Sequence, residues 1–406
     1  MSATEWVVEH CRADGGTTPR TAPVAPPGKV TIPSDAMHYR RMPIEIESPE
    51  QLGYDRIAYN LAESSCADVR YRELGIDLGD LILAYQDHLG HPPLRALIAA
   101  TAAVEPDEVL MTVGAAAALF IIATSLLKSG DHLVVVRPNY ATNLETPRAI
   151  GCDISYLDLR FEDGWDVSLS RLADLLRPNT RLISLTCPHN PTGAVFDEAT
   201  LRGAIALAER HGCHLLVDET YGEMTFGTRL PCAAACSPAA ISVSSLSKTY
   251  GLPGLRSGWL ICRDPALREI FLAAKEQIFI CTSVIDEEIA FQALQRRDRW
   301  LPQIKEHIGA AFRVTRDFIA GQEDFEWVEP RGGVVGFFRM RHEIAGRTDV
   351  DRFYQILLDR YRTLVGPGHW FEQPRHYMRI GYGWPTLDEL TKGLQSLTAA
   401  LADARK

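Results

Sequence analysis

Five short apolar segments constrain the fold of this chain more strongly than any other feature. They are continuous and bounded by turn residues, and they cover His132–Val136, Leu182–Thr186, His214–Val217, Ile241–Ser244 and Gly258–Cys262. Such segments are typical of strands that helices cover on both faces. Between two of them, Glu198–Arg210 shows an apolar helical face, with Asp197 placed to cap its start and Gly212 to stop it. The alternation predicts an α/β layer with a largely parallel sheet.

The pattern changes beyond about residue 286, where a long charged helix replaces the alternation. A strand over Gly332–Met340, a helix over Val350–Tyr361 and a last helix after Pro385 follow. We therefore predict a second, smaller α+β domain. Residues 12–30 are rich in Gly, Thr and Pro, which is typical of an extended or disordered arm. The predicted domains are an N-terminal arm over 1–55, a large domain over 56–285 and a small domain over 286–406.

Polar side chains follow three of the predicted strands at the point where each strand ends. They lie in Cys187–Gly193, Asp218–Tyr221 and Ser245–Lys248, each about one strand and one crossover from the next. The carboxyl ends of parallel strands meet at one rim of a sheet, which is where ligands bind in α/β folds. We expect the three clusters to converge at that rim.

The third cluster continues to Arg256 and places a lysine, two hydroxyls and an arginine on one loop. A lysine at a strand end, beside small hydroxyl residues and glycines, is well placed to form a Schiff base. Ser245, Ser247 and Arg256 can hold a phosphate at the same place. Lys248 with a phosphate site beside it indicates pyridoxal 5′-phosphate, whose aldehyde takes the lysine. Taken alone, the run also fits a solvated turn.

An ordered set of motifs extends this interpretation. It comprises Asn-Pro-Thr-Gly (190–193), Asp-Glu-x-Tyr (218–221), Ser-x-Ser-Lys (245–248), Gly-Leu-Arg-x-Gly-Trp (254–259), Tyr85 followed by Leu94-Arg95, and Arg379-Ile-Gly. Over roughly residues 55–400 the set resembles the fold-type-I pyridoxal-phosphate enzymes, specifically the class I/II aminotransferases. The resemblance implies a large domain with a mostly parallel seven-stranded sheet in α/β/α layers plus a smaller α+β domain. It also implies a homodimer with shared active sites.

The resemblance assigns roles to the residues at the strand ends. Lys248 would hold the cofactor as an internal aldimine and then move the α-proton as a base. Asp218 would pair with the pyridine nitrogen and keep it protonated, so that the ring remains an electron sink. Asn190 and Tyr221 would hydrogen-bond the 3′-oxygen of the cofactor, and Asn190 would also face the substrate. The alternatives are a surface lysine, a helix-capping Asp218 and a turn role for Asn190.

The phosphate of the cofactor would lie against the start of a helix predicted over Gly114–Leu127. The resemblance assigns to it the backbone N–H groups of Ala115 and Ala116, and a helix N-terminus suits an anion. These alanines are otherwise ordinary helix residues. The remaining phosphate ligands that the resemblance implies are Ser245, Ser247 and Arg256.

Three further residues match family positions. Tyr140 matches the aromatic residue that stacks on the cofactor ring, and Tyr85 matches the tyrosine that reaches the phosphate of the other subunit. A core tyrosine is the alternative for both. Arg379 matches the arginine that grips the substrate α-carboxylate, because a guanidinium offers a carboxylate two parallel bonds. A structural ion pair is its alternative.

The segment Asn60–Ser65 departs from the family, which often has a Gly-rich stretch near the substrate's entry. Glu63 in this segment could bind substrate and favour a basic or hydroxylated amino acid, and a solvated or helix-capping Glu63 is the alternative. The C-terminal third also resembles the capreomycidine synthase branch, which cyclises a hydroxylated arginine by elimination and addition. The shared parts are Ser-Lys-x-Tyr-Gly-Leu-Pro-Gly-Leu-Arg (247–256), Pro-Arg-Gly-Gly-Val (330–334) and Val365-Gly-Pro-Gly.

We therefore expect a pyridoxal-phosphate-dependent aminotransferase that moves an α-amino group between an L-amino acid and a 2-oxo acid. The alternative is a related enzyme of β/γ-elimination or cyclisation in specialised amino-acid metabolism. A regulator that carries this fold beside a DNA-binding domain would need a basic helix-turn-helix module. The short, Pro-rich arm does not provide one.

Composition excludes several other classes of protein. The chain has 42 basic and 52 acidic residues, and its formal net charge of −10 argues against a nucleic-acid surface. The longest apolar stretch, Gly114–Leu127, is shorter than the roughly 20 residues that span a bilayer, and the start of the chain lacks a signal pattern. Nine scattered cysteines without zinc spacing predict free thiols and no metal site. We expect a cytoplasmic protein that binds neither nucleic acid nor membrane.

Overall fold

The apolar segments found in the sequence form the centre of a sheet. A computed structural model describes residues 37–406, so the prediction for residues 12–30 lies outside the described residues. The strands are β1 Tyr59–Asn60, β2 Val109–Val113, β3 His132–Arg137, β4 Asp153–Asp158, β5 Thr180–Thr186, β6 His214–Asp218, β7 Ala240–Ser245, β8 Ser257–Cys262, β9 Phe325–Trp327, β10 Val335–Met340, β11 Thr363–Leu364, β12 Gly366–Pro367 and β13 Tyr377–Gly381.

Helices separate most of these strands along the chain. They are α1 Pro43–Ile46, α2 Pro49–Leu52, α3 Tyr71–Leu74, α4 Pro92–Ala102, α5 Gly114–Leu126, α6 Ala141–Ile150, α7 Leu169–Leu175, α8 Glu198–His211, α9 Ala233–Cys236, α10 Pro265–Phe279, α11 Val284–Gln295, α12 Arg297–Ala320, α13 His342–Ala345, α14 Val350–Asp359 and α15 Leu387–Ala404. The α8 helix has the predicted ends: Asp197 Oδ1 accepts a hydrogen bond from the Thr200 amide at 2.8 Å, and Gly212 ends the helix with φ of 63°.

The large sheet has seven strands in the order β2-β8-β7-β6-β5-β3-β4. The β4, β3, β5, β6 and β7 strands pair in parallel, whereas β8 runs antiparallel to both of its neighbours. All five predicted strands are confirmed, as β3, β5, β6, β7 and β8. The sequence prediction missed β2, which runs directly into the apolar helix α5, and β4, an edge strand whose polar and apolar residues alternate.

Alternate side chains of the sheet pack into two separate cores. In β3, Val134 and Val136 join the core that contains Leu201 of α8, whereas Leu133 and Val135 join the core that contains Leu119 of α5. Side chains of a strand alternate between faces, so each face of the sheet buries one row of apolar residues under helices. The predicted α/β/α layering is therefore confirmed.

A second, antiparallel sheet has the order β12-β13-β10-β9. It packs on α12, α14 and α15 through a core that includes Phe338, Phe353 and Leu397. The predicted strand over 332–340 begins at Val335, and the predicted helix over 350–361 ends at Asp359. Residues 38–406 form one compact unit that contains these two sheets and a third, the parallel pair of β1 and β11. The domain boundaries given above stay predictions.

Two further predictions concern the chain outside its sheets. No helix in residues 37–406 is both long enough and apolar enough to cross a membrane. The eight cysteines in this range are free thiols, whereas Cys11 lies outside the described residues.

The fold predicts where the large sheet is sensitive to substitution. Leu215 of β6 is fully buried in the core beneath α8. We expect Leu215→Ala to lower the free energy of unfolding by about 2–5 kcal/mol, because it leaves a cavity. Leu215→Met should cost less than about 1.5 kcal/mol, because it keeps the volume. Urea unfolding of the cofactor-free protein measures both values, and equal losses for the two variants would contradict this packing.

Candidate active site

A cavity of about 400 Å³ lies where three neighbouring strands of the large sheet end. Thr186, Asp218 and Ser245, the last residues of β5, β6 and β7, all line it. The convergence of the three polar clusters predicted from the sequence is therefore observed. Of the predicted site residues, those that line this cavity are Glu63, Ala115, Ala116, Tyr140, Asn190, Asp218, Tyr221, Ser245, Ser247, Lys248, Arg256 and Arg379.

Lys248 follows β7 and projects into the cavity. Its Nζ donates a hydrogen bond to Ser64 Oγ at 3.0 Å. Burial lowers the pKa of Lys248, and the positive charge of Arg379 lowers it further. A lowered pKa favours the neutral amine, which is the form that attacks a carbonyl carbon.

Asp218 ends β6 and is 6% exposed. Its Oδ1 accepts hydrogen bonds from the amide of Thr220 at 3.0 Å and from the Thr220 hydroxyl at 2.6 Å. Burial raises the pKa of Asp218, and these hydrogen bonds together with one from Asn143 oppose the rise. A buried carboxyl group of this kind favours a cationic partner in the cavity.

Arg379 lies on β13 of the small sheet and reaches the same cavity. Its Nη1 donates to Asn190 Oδ1 at 3.1 Å and its Nη2 to the carbonyl of Ala62 at 2.6 Å. Its Nε is buried without a hydrogen-bond partner among residues 37–406. Since its polar contacts go to an amide and a carbonyl, the alternative of a structural ion pair is not observed.

Asn190 and Tyr221 are both buried beside Arg379. The Tyr221 hydroxyl donates to the carbonyl of Ser64 at 2.7 Å, and burial raises its pKa. His189 fixes the turn that carries Asn190, because its Nε2 lies 2.9 Å from the Pro138 carbonyl. Burial lowers the pKa of His189 to about 4, so the imidazole is neutral and donates from Nε2.

The first turn of α5 and the loop after Lys248 form a cradle at one end of the cavity. Ala115 and Ala116 line it in the first turn of α5, where backbone N–H groups lack intrahelical partners. Arg256 Nη1 donates to Ser247 Oγ at 3.3 Å. Gly114 has φ of +73°, and a Cβ there would lie 2.5 Å from Arg256 Nη2. The cradle combines helix amides, hydroxyls and a guanidinium, which is a donor set for a phosphate.

Glu63 lies in the irregular segment after β1, so the helix-capping alternative is wrong. It is half-buried and accepts a hydrogen bond from the Tyr54 hydroxyl at 3.3 Å. Glu63 and Glu50 also line a neighbouring cavity of about 650 Å³ that shares Lys248 with the first. The two carboxylates therefore line both of the spaces that meet at Lys248.

The two predicted tyrosines occupy different places. Tyr140 is partly buried and lines the cavity. Tyr85 is 82% exposed and does not line the cavity of its own chain, so the alternative of a core tyrosine is wrong for it.

Sequence reasoning missed several residues of the cavity. Ser64 binds Lys248 and Tyr221, Trp370 lies in the wall, and Ser48 and Glu50 come from the α1–α2 segment. Ser64 stands beside Glu63 in a segment already singled out, so its hydroxyl was a usable signal. The other three lie in segments without a motif.

Comparison with known proteins agrees with this arrangement. The family model for class I and II aminotransferases matches residues 58–397. The chain belongs to the class I and II aminotransferase family. This aminotransferase-family chain is 31% identical over 329 residues to capreomycidine synthase from Streptomyces vinaceus, covering 80% of this chain and 82% of that protein.

Two further likenesses are informative. Arginine–pyruvate transaminase AruH from Pseudomonas aeruginosa is 29% identical over 307 residues, covering 71% of this chain and 74% of that protein. The crystal structure of the PLP-dependent cyclase OrfR superposes with a TM-score of 0.82 at 28% identity, covering 91% of this chain and all of that chain. The fold is that of the fold-type-I pyridoxal-phosphate enzymes, and pyridoxal 5′-phosphate is the cofactor that the family implies. The donor set of the cradle and the buried carboxyl group of Asp218 fit that group.

The cradle depends on a glycine, Gly258, that does not itself line the cavity. A Cβ at Gly258 would lie 2.6 Å from the Ala115 amide nitrogen, so the first turn of α5 would have to move. We expect Gly258→Ala to weaken pyridoxal phosphate binding by about tenfold or more, which corresponds to ~1.4 kcal/mol.

Gly254→Ala is the matched control, because a Cβ there meets no described atom within 4 Å. Fluorescence titration of the cofactor-free variants measures the affinity. If the two variants bind the cofactor equally well, the close approach of β8 to α5 does not shape the cradle.

Proposed function

We propose that this chain is a pyridoxal-phosphate-dependent aminotransferase whose amino donor is an L-amino acid with a cationic, guanidino-type side chain and whose acceptor is a 2-oxo acid. The observation that carries the proposal is the set of charges around Lys248. Arg379 lines the first cavity alone, whereas Glu63 and Glu50 line both that cavity and the neighbouring one that meets it at Lys248. Such a cavity is complementary to a molecule with a carboxylate at one end, an amine in the middle and a cation at the other end.

Each residue of the cavity then has a chemical task. Arg379 binds the α-carboxylate through its fork of N–H groups. Lys248 would hold the cofactor through its amine and, as a free amine, would act as the base that moves the proton of the substrate's α-carbon. Asp218 would stabilise a positive charge on a group bound beside it. Its buried carboxylate is poorly solvated and therefore favours a cationic partner.

The other residues of the cavity would bind and orient the cofactor. Ser245, Ser247, Arg256 and the first turn of α5 would hold the phosphate of the cofactor, and Asn190, Tyr221 and Tyr140 would hold its ring. When bound, the cofactor supplies a sink for the electron pair that the broken C–H bond leaves.

The names of the relatives support the side-chain class. One is an arginine–pyruvate transaminase. The resemblance to the capreomycidine synthase branch, noted in the sequence, implies a hydroxylated arginine. Cyclisation is the second candidate reaction, because capreomycidine synthase and the cyclase OrfR both match most of this chain. The two reactions share Lys248 and Asp218 and differ in where the α-proton and the side-chain leaving group go.

A single assay separates the two reactions. We expect the holoenzyme with L-arginine and pyruvate to form alanine, and with L-arginine alone to convert the cofactor to pyridoxamine phosphate. Cyclisation needs a side-chain leaving group, which L-arginine lacks, so its arm uses a hydroxylated L-arginine. That reaction would release water, return the cofactor unchanged and keep every nitrogen of the donor in one product. Mass spectrometry of product and cofactor decides, and a holoenzyme that turns over no cationic amino acid would refute the proposed donor class.

Glu63→Gln tests the charge of the substrate side chain. L-Citrulline has the shape of L-arginine without its positive charge. We expect the variant to lower kcat/KM for L-arginine by about tenfold, the scale of a hydrogen bond between charged groups, and to leave L-citrulline within about threefold of wild type. Equal losses for both amino acids would mean that Glu63 does not recognise the charge.

Lys248→Ala tests the attachment of the cofactor. We expect the variant to bind pyridoxal phosphate noncovalently and to lose nearly all turnover. Borohydride treatment of the wild type, followed by peptide mapping, should find the reduced cofactor on Lys248. An adduct on another lysine would refute the assignment.

We also propose that the active unit is a homodimer in which Tyr85 completes the partner's site. Support comes from the loop that carries it: Ile82, Leu83 and Tyr85 are 78%, 71% and 82% exposed. The loop is nevertheless anchored, because Gln86 Nε2 donates to Glu287 at 2.7 Å. A fixed, exposed apolar loop is suited to contact with a second chain.

Complementation tests the shared site. Tyr85→Ala and Lys248→Ala should each be severely impaired as separate proteins. In a mixed dimer, one site would carry both defects and the other neither, so subunit exchange should restore up to about a quarter of wild-type activity. No recovery despite proven exchange would place Tyr85 outside the partner's site.

A further inference from the structure

The wall of the cavity opposite the sheet is formed by a short segment of chain, Met42–Gly53, that contains α1 and α2. Ile44, Glu45, Ser48, Pro49 and Glu50 of this segment all line the cavity. The segment belongs to neither sheet. The motifs that identified the cofactor site do not extend to it, so its contribution to the reaction has to be found from its contacts.

Ser48 occupies the N-cap position of α2, yet its hydroxyl does not cap that helix. An N-cap serine ordinarily accepts a hydrogen bond from an amide in the first turn. Here Ser48 is 8% exposed, and its Oγ is buried without a hydrogen-bond partner among the described residues. Buried hydroxyls are rarely left unpaired, and each exception calls for an explanation. Ser48 itself lines the cavity that the substrate would enter, and rotation about its Cα–Cβ bond would turn the hydroxyl toward it.

Glu47 fastens this segment to the small domain. Its Oε2 accepts hydrogen bonds from His369 Nε2 at 2.9 Å and from Trp370 Nε1 at 2.7 Å. Arg375 Nη1 donates to His369 Nδ1 at 2.9 Å, which leaves Nε2 as the donor toward Glu47. Trp370 is 2% exposed and itself lines the cavity, so its indole N–H has to be satisfied.

We infer that Ser48 accepts a hydrogen bond from an N–H of the substrate's guanidino side chain, and that Glu47 is a positioning residue that holds Ser48 at the cavity. The inference rests on the proposed function and deepens it. Glu63 and Glu50 supply the charge that attracts the side chain, whereas Ser48 supplies a directed acceptor. A hydroxyl can accept from the substrate and donate to a neighbouring oxygen at the same time.

Three amino acids separate charge from hydrogen bonding. L-Arginine has both charge and N–H groups at the end of its side chain, L-citrulline has N–H groups without charge, and L-norleucine has neither. For Ser48→Ala we expect kcat/KM to fall about three- to tenfold for L-arginine and L-citrulline, the range of one hydrogen bond, and to stay unchanged for L-norleucine. Ser48→Thr keeps a hydroxyl and should retain most of the wild-type preference.

Glu47 is tested through the same preference. Glu47→Ala should change kcat/KM for the three amino acids in the same way as Ser48→Ala. Glu47→Gln should keep the wild-type preference, because one amide oxygen can accept both bonds that Oε2 now accepts. Asp55→Asn is the matched control, an exposed acid on the same stretch of chain that lines neither cavity. Titration calorimetry with the Lys248→Ala holoprotein measures the affinity for L-arginine without turnover. Adding Glu47→Ala to this protein should weaken that affinity by the same factor.

The outcomes distinguish this inference from the proposed function. If the wild type prefers L-arginine and L-citrulline to L-norleucine and Ser48→Ala keeps that preference, the inference is wrong and the proposed function stands. If Ser48→Ala instead weakens the binding of pyridoxal phosphate, Ser48 contributes to the cofactor site and the inference is also wrong. If Glu47→Ala lowers kcat/KM for all three amino acids and the affinity for the cofactor alike, Glu47 is merely structural and its positioning role is wrong. A wild type with no such preference overturns both proposals.

Discussion

The buried guanidinium of Arg379 is the interaction on which the arrangement of this site depends. It sits on the small sheet, yet it bonds the loop after β5 of the large sheet through Asn190 and the chain after β1 through Ala62. Burying a cation costs several kcal/mol, and neutral acceptors offset only part of that cost. With Nε unpaired and Glu63 acting at longer range, the junction is stabilised further when an anion enters. A carboxylate bound to Arg379 would therefore also strengthen the junction between the two sheets.

The same burial acts on the acid and the base of the cavity in opposite senses. It raises the pKa of Asp218 and lowers the pKa of Lys248, so each group is driven toward its neutral form. Neither group forms a salt bridge with another of the described residues. Lys248 donates a hydrogen bond to a serine hydroxyl, and Asp218 accepts one from a threonine hydroxyl. The electrostatic imbalance is local, and a cationic ring nitrogen beside Asp218 would relieve it.

Much of the site could be predicted because its signals are local in sequence. Strand ends, the lysine and the arginine that follows it lie within short motifs, and β3, β5, β6, β7 and β8 have continuous apolar cores. The rest depends on contacts between distant segments. Ser64 meets Lys248 across 184 residues, and Trp370 meets Glu47 across 323. No local pattern encodes such a pair. The exposure of Tyr85 was likewise undetermined, because a tyrosine in an apolar loop fits a core and an interface equally well.

The reversed direction of β8 has a consequence for the rigidity of the cofactor site. If β8 ran parallel to β7, its first residues would lie at the far edge of the sheet and a long crossover would separate them from Lys248. Because it runs antiparallel, the chain leaves β7 at Ser245 and enters β8 at Ser257 on the same rim, and the residues between form one tight connection. Lys248 and Arg256 therefore lie on one connection whose two ends are paired in the same sheet. The large sheet alone thus sets the separation of the two cations, whereas Arg379 at the same cavity comes from the other sheet.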